Sequence, residues 1–156
     1  MRLDYAPAPE SRDVVTIRPS YGLFIGGEFT EGKGQPFTTV NPATEEPLAE
    51  VACAADDDVD RAVRAAREAY EKVWGRMPGS ERAKYLFRIA RIIQERAREL
   101  AVLETLDNGK PIRESRDVDL PLVAAHFFYY AGWADKLGYA GLGPNPRPLG
   151  LAAQVI

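Results

Sequence analysis

The chain has 156 residues, 46% hydrophobic and 28% charged, which is typical of a single globular domain. Its 20 Lys and Arg residues and 23 Asp and Glu residues give a net charge of -3, with no block of like charge. This balance gives no basis for a nucleic-acid partner. The longest uncharged apolar run, residues 127–134, is also far too short to cross a membrane.

The amino-terminal third predicts an arm followed by short strands. Residues 1–20 carry three prolines among polar residues and are interpreted as an arm, mobile or docked on the outside, outside any packed element. LFIGGEF, residues 23–29, predicts a β-hairpin, because its central Gly-Gly pair can adopt the positive φ angles of a tight turn. Two further strands are predicted at residues 37–40 and 48–53.

Two helices are predicted in the middle of the chain. Acidic residues from Asp56 mark the start of the first, where carboxylates can accept hydrogen bonds from free backbone amides. From there to Trp74, apolar residues recur at intervals of three and four, which predicts one buried stripe. The second helix is predicted from Ser80, its N-cap, to about Leu106, a length that allows a break at residues 96–99.

ETLDNGKP, residues 104–111, predicts an abrupt end to the second helix. Asn108-Gly109 favours the left-handed turn that caps a helix C-terminus. Lys110 can interact there with the carbonyl groups that the helix leaves exposed.

The last part of the chain predicts a third helix and a buried strand. The helix covers residues 112–137, and Pro121, which has no amide proton, should kink or restart it near Asp119. After a Gly- and Pro-rich stretch, the apolar residues 151–156 predict a strand of a parallel sheet. Such a strand needs neighbours that the chain does not supply, so we expect a fragment, or a domain separated from its own core.

Three features could carry chemistry, and each has a simpler structural interpretation. Residues 27–34, GEFTEGKG, nearly match a phosphate-binding P-loop, but Gly34 replaces the required Ser or Thr, which favours a surface loop. The single histidine, His126, lacks a second metal ligand, so we interpret it as a buried or half-buried helical side chain. Packing explains the single cysteine, Cys53, better than reactivity does, and a lone thiol indicates a cytoplasmic protein.

Several longer segments carry a more specific pattern in a fixed order: LFIGGEF, FTTVNPATEEPLAEV, DDDVDRAVRAAREAY, ERAKYLFRIARII, ETLDNGKP, DLPLVAAHFFYYAGWADK and RPLGLAAQVI. Together they resemble the amino-terminal segment of the NAD(P)-dependent aldehyde dehydrogenase superfamily. The resemblance implies an α/β fold, the first part of a Rossmann-like cofactor domain: short antiparallel strands, three long helices and the start of a parallel-sheet strand. After the arm, residues 1–20, residues 21–156 would form this incomplete domain.

The resemblance implies an enzyme that oxidises an aldehyde to a carboxylic acid, with NAD or NADP as hydride acceptor. In the family, a cysteine thiolate forms a thiohemiacetal with the aldehyde, and the thioester that follows is hydrolysed by water. The family's nucleophile, general base and glycine motif lie beyond residue 156, and Cys53 does not match the nucleophile's motif. The segment alone is therefore expected to contain no catalytic residue and to be inactive. The alternative is a non-catalytic interaction module derived from such an enzyme.

A few residues match functional positions of the family. Val155 and Ile156 match the strand end that lines the cofactor cleft. Val40 and Asp107 match places where backbone carbonyls hold a structural monovalent cation in some members. Residues 120–126 fall in the helix that often borders the substrate tunnel.

The resemblance also implies contacts between different parts of the enzyme. Asp107 and Lys110 are candidates for contact with the remainder of the cofactor domain. A homo-oligomer, dimer or tetramer, is implied by analogy, although residues 137–146 are shorter than the β arm that pairs subunits in many relatives. No nucleic acid and no membrane is implied as a partner.

Overall fold

The computed structural model describes residues 10–143, 146 and 148–154. Within these residues, the β structure consists of a three-stranded sheet and a separate hairpin. The strands are β1 (Ser20–Tyr21), β2 (Leu23–Ile25), β3 (Glu28–Thr30), β4 (Phe37–Val40) and β5 (Pro47–Val51). In the sheet β5 is central, parallel to β1 on one side and antiparallel to β4 on the other.

The predicted hairpin and the two predicted strands after it are confirmed. β2 and β3 pair antiparallel, and Gly26 and Gly27 form the turn between them with φ angles of 66° and 93°. Side chains other than glycine rarely tolerate two such angles in succession. β1 was not predicted, because two residues cannot show an alternating pattern and its partner strand lies far along the chain.

Helices make up most of the remaining chain. They are α1 (Asp56–Lys72), α2 (Gly79–Glu95), α3 (Ala97–Asn108), α4 (Ile112–Glu114) and α5 (Leu120–Trp133), with a π-helical segment (Ser115–Asp119) before α5. Short 3-10 helices lie at Arg12–Val14, Trp74–Arg76 and Leu137–Tyr139. None of the helices in the described part of the chain is both long and apolar enough to span a membrane.

The helix boundaries follow from local chemistry. The break that the sequence allowed in the second helix is confirmed at Arg96, between α2 and α3. The restart near Asp119 is also confirmed, because Pro121 has no amide proton for a carbonyl in the preceding turn, and the backbone passes through π geometry there. The predicted N-cap at Ser80 is wrong, since α2 already begins at Gly79 with Pro78 in the cap position.

The interior is built mainly from small side chains. Where α2 packs on α5, four alanines are buried: Ala83, Ala90, Ala124 and Ala131. Small residues let the two helix backbones approach closely. The predicted burial of the α1 stripe is wrong at Val59, which is 53% exposed, and at Val63, which is 40% exposed, because only the hairpin and the end of the chain lie against that face.

Residues 10–19 are docked on the outside of the helices. The Glu10 side chain is only 12% exposed and forms ion pairs with Arg98 of α3 and Arg116 of the π-helical segment. The arm thus has a specific anchor in its described part, and its last predicted residue, Ser20, already belongs to β1.

The predicted strand at the end of the chain is not present in the described residues. Residues 151–154 form no strand and are exposed, with Leu151 at 41%. A strand needs a hydrogen-bonding neighbour, and in the described residues this stretch has none, so it lies along α1 and β2 instead. The predicted cofactor contacts Val155 and Ile156 lie outside the described residues.

Candidate functional site

The carboxyl end of α3 forms a tight junction with the strand region. Gly109 caps α3 in the left-handed conformation, with φ of 75°, and its amide donates to the Thr105 carbonyl at 3.0 Å. A Cβ atom at this position would lie 3.1 Å from Cγ of Pro42. The predicted left-handed cap is confirmed. The close approach of the loop after β4 gives a second reason for glycine.

The structure brings the two predicted cation residues, Val40 and Asp107, to this junction. The hydroxyl group of Thr39 donates a hydrogen bond to the Asp107 carboxylate and so joins β4 directly to α3. Val40 follows Thr39 at the end of β4, and Asp107 is in the last turn of α3.

The backbone oxygens at the junction have the chemistry that a hard cation needs. Val40 lies opposite Pro47, which has no amide proton to offer its carbonyl. The carbonyl of Asp107 belongs to the last turn of a helix, where no later helical amide can bond it. Among the described residues, no group of three or more His, Cys, Asp and Glu side chains could hold a metal. The candidate donors at the junction are therefore two backbone carbonyls and not a cluster of acidic or histidine side chains.

The sequence suggested that Lys110 interacts with the carbonyls at the end of α3, but in the structure it does not. Its ammonium group forms an ion pair with Asp119 at the end of the π-helical segment. The hydrogen bond with Asp119 raises the pKa of Lys110. This pair closes the turn between α3 and α5 and leaves the last carbonyls of α3 available.

A groove of about 570 Å³ runs beside this junction, between α3 and α5. Four of its lining residues come from the predicted range 120–126: Leu120, Leu122, Val123 and His126. The prediction that His126 is buried or half-buried is wrong; its ring is exposed and stacks on Tyr130 with 6.5 Å between ring centroids. Six aliphatic side chains line the groove together with the charged residues Glu104, Asp107, Lys110 and Asp119, so it can accommodate a small molecule that has both an apolar and a polar part.

The near P-loop is a surface loop held by Asp58, as the sequence favoured. The buried Asp58 carboxylate accepts hydrogen bonds from the amides of Lys33 and Ala55, at 2.8 and 3.0 Å, and from Arg61 at 2.8 Å. The bonds from the Ala55 and Lys33 amides lower the pKa of Asp58. Because a carboxylate already occupies the Lys33 amide, this loop does not offer that amide to a phosphate group. The acidic start of α1 was the one signal for this role.

The carboxyl-terminal segment, residues 148–154, lies against α1. The hydroxyl group of Tyr70 donates a 2.7 Å hydrogen bond to the Pro148 carbonyl. Sequence reasoning missed this role, because Tyr70 appeared only as a member of the apolar stripe. Residues 151–154 help to line a groove of about 540 Å³ with α1 and β2, and within the described residues their backbone groups make no backbone hydrogen bonds.

The backbone amides and carbonyls of residues 151–154 are available to a binding partner, which is relevant to the predicted cofactor. An extended segment with free amides and carbonyls can pair with a strand or bind the polar groups of a dinucleotide. No glycine-rich phosphate loop precedes a helix in the described residues.

Short strands, packed helices and a segment that leads to the predicted cofactor contacts define the first part of an α/β cofactor-binding domain. The sequence model of the aldehyde dehydrogenase family matches residues 29–152. The chain therefore belongs to the aldehyde dehydrogenase family.

Relatives and solved structures agree with this assignment. The chain is 44% identical, over 97% of its length, to an acetaldehyde dehydrogenase of Pseudomonas aeruginosa, of which it covers 32%. It is 40% identical over 86% of its length to the mitochondrial aldehyde dehydrogenase family 2 member B4 of Arabidopsis thaliana, and covers 27% of it. The NAD+ complex of an aldehyde dehydrogenase from Bacillus cereus matches 73% of the chain with a TM-score of 0.70 and 45% identity; the chain covers 24% of that structure. The chain thus spans about a quarter to a third of these relatives.

Proposed function

We propose that this chain is the amino-terminal part of an enzyme that oxidises an aldehyde to a carboxylic acid with NAD as cofactor. The observation that carries the proposal is the 44% identity to an acetaldehyde dehydrogenase along 97% of the chain. The NAD+ complex of the Bacillus cereus relative supports NAD as the cofactor, and NADP is the alternative to be tested beside it. The bound cofactor supplies the hydride acceptor.

In this proposal the 156 residues support the site and do not perform the chemistry. The carboxyl-terminal segment leads the chain to Val155 and Ile156, which we assign to one wall of the cofactor cleft. The groove between α3 and α5 is assigned to the aldehyde side, because six of its eleven lining residues are aliphatic. The nucleophile, the general base and the phosphate-binding loop are assigned to the part of the enzyme that these residues do not include.

The proposal predicts aldehyde-dependent NADH formation by the complete gene product. The absorbance of NADH or NADPH is measured with a panel of aliphatic and aromatic aldehydes, once with NAD and once with NADP. Cys53→Ser should keep activity within about twofold, because Cys53 is a half-buried packing residue. The 156-residue chain alone should give no NADH.

Three outcomes would contradict this proposal. A complete product without activity on any aldehyde would contradict the enzyme assignment, as would a native product of 17.2 kDa, which indicates an interaction module. Loss of activity in a folded Cys53→Ser protein would contradict the assignment of the nucleophile to another cysteine.

We also propose that the Val40 and Asp107 carbonyls hold a monovalent cation that joins β4 to α3. At equal ionic strength, the melting temperature of the complete protein should be about 3 °C higher in NaCl or KCl than in the bulky N-methylglucamine chloride. Thr39→Val, which removes the hydrogen bond to Asp107, should abolish this difference.

Thr38→Val is the matched control for the cation proposal, because Thr38 lies on the same strand and is exposed. It should retain the difference between the salts. Equal melting temperatures of the unmodified protein in all three salts would contradict the proposal.

The cellular location and the oligomeric state are proposed from composition, exposure and family. A lone half-buried thiol suits a reducing compartment, which supports a cytoplasmic location. A homo-oligomer, dimer or tetramer, is proposed because exposed aromatic side chains such as Tyr129 and Tyr130, each 59% exposed, need cover in the complete enzyme. Light scattering on the complete product measures the oligomeric state.

A further inference from the structure

One polar contact ties the carboxyl-terminal segment to the helices. The Tyr70 hydroxyl group donates to the Pro148 carbonyl at 2.7 Å, in a partly buried position, across 78 positions of the chain. Among the described residues, it is the one hydrogen bond made by residues 148–154. Apolar packing adds little to hold the segment in place, because Leu149 is fully exposed and Leu151 is 41% exposed.

The Tyr70 ring is itself held in place before it reaches the segment. A Cβ atom at Gly75 would lie 2.9 Å from the Tyr70 carbonyl oxygen and 3.1 Å from two atoms of its ring. Only a residue without a side chain lets the turn after α1 close over the ring this tightly. The phenol is therefore presented to Pro148 in one direction.

We propose that Tyr70 is a positioning residue for the cofactor cleft, because its hydroxyl group fixes the course of residues 148–154, which directly precede Val155 and Ile156 in the chain. This inference rests on the proposed function, in which those two residues form one wall of the cleft. Tyr70 does not touch the cofactor in this proposal; it acts through the segment.

Loss of the hydroxyl group should lower the fraction of molecules in which the segment follows its binding-competent course. Apparent affinity falls in proportion to that fraction, whereas saturating cofactor restores the competent state. Loss of the hydroxyl group should therefore raise the Kd and KM for NAD and leave kcat unchanged. A merely structural role would instead reduce the amount of active enzyme and leave KM unchanged.

The test compares Tyr70→Phe with Tyr139→Phe in the complete protein. Both changes remove one phenolic oxygen, and Tyr139 is 88% exposed, which makes it a matched control. In Tyr70→Phe, the Kd for NAD measured by calorimetry without aldehyde, and the KM for NAD, should each rise about 2- to 10-fold, the usual range for one hydrogen bond. The kcat should stay within about twofold, and Tyr139→Phe should match the unmodified protein.

A second measurement does not depend on the cofactor. Chymotrypsin cleaves after large apolar residues, so limited digestion should cut after Leu149 and Leu151 faster in Tyr70→Phe than in Tyr139→Phe. Equal cleavage rates, or NAD binding by Tyr70→Phe with an unchanged Kd, would overturn the role of Tyr70 alone. Failure of the unmodified protein to bind NAD would overturn the proposed function, and with it the link from Tyr70 to the cofactor.

Discussion

Asp58→Ala is expected to lower the melting temperature of the complete protein by on the order of 10 °C. The buried carboxylate joins the loop before β4, the residue that precedes α1 and the side chain of Arg61. Its removal leaves two backbone amides and the Arg61 guanidinium group without their acceptor in a partly buried position. Circular dichroism during heating measures the change.

Asp57→Ala is the matched control, because Asp57 is the neighbouring acidic residue and its exposed side chain bonds only the Lys33 ammonium group. This change should lower the melting temperature by only about 1 °C.

Asp58→Asn should lower the melting temperature by an amount between those of Asp57→Ala and Asp58→Ala. Both amides donate to one carboxylate oxygen, and Arg61 donates to the other. The single carbonyl oxygen of an Asn side chain can replace only one of these acceptors. Its NH₂ group would then face the donor or donors on the other side, which it cannot accept from.

The lowered pKa of Asp58 adds a test by pH. Its ordinary value is 3.8, and the hydrogen bonds from Ala55 and Lys33 hold the folded value below that. The stabilisation is therefore complete above a pH of about 4 and is lost as the pH falls through the lower, folded value. The difference in melting temperature between the unmodified protein and Asp58→Ala should narrow below pH ~4. A constant difference down to pH ~2 would contradict the assigned role of the charge.

Gly79→Ala is expected to reduce the free energy of unfolding by roughly 1–3 kcal/mol. The first residue of α2 touches the end of α5, where an added Cβ atom would lie 2.2 Å from the Ala134 carbonyl oxygen and 2.9 Å from Cα of Asp135. The obstructing atoms are backbone atoms, so no change of rotamer relieves the overlap and the two helices must separate. Urea unfolding of the complete protein measures the loss.

Gly132→Ala is the control for this change, because it adds the same methyl group inside α5 at a position with nothing within 4 Å. Alanine is a better helix former than glycine, so this variant should be as stable as the unmodified protein or more stable by up to about 1 kcal/mol. Equal stability of Gly79→Ala and Gly132→Ala would show that α2 and α5 do not approach each other as closely as described.

The elements with a clear local signal were predicted well. The Gly-Gly hairpin, the start of α1 at Asp56, the interruption at Pro121 and the left-handed cap at Gly109 all depend on neighbouring residues, and the structure has each of them. The candidate cation site was placed by family resemblance, and the Thr39–Asp107 bond that joins its two elements had no signal in the sequence. Contacts of this kind depend on residues 68 positions apart in the chain, which local patterns do not encode.

Burial was predicted less well than secondary structure. The apolar spacing of α1 correctly predicted a helix, yet Val59 and Val63 are largely exposed. The same holds for His126, whose position in an apolar helix suggested burial. Periodicity states which side chains share a face, whereas burial depends on how much other structure covers that face.

The sequence by itself determined the order of the helices, the turns between them and membership of a family, because these depend on local backbone preferences and on residue identity. Only the tertiary structure decided that Asp58 holds the Lys33 loop, that Lys110 pairs with Asp119, and that Tyr70 anchors Pro148. Each of these contacts joins groups from separate elements. Their partners are selected by the three-dimensional path of the backbone and not by distance along the chain.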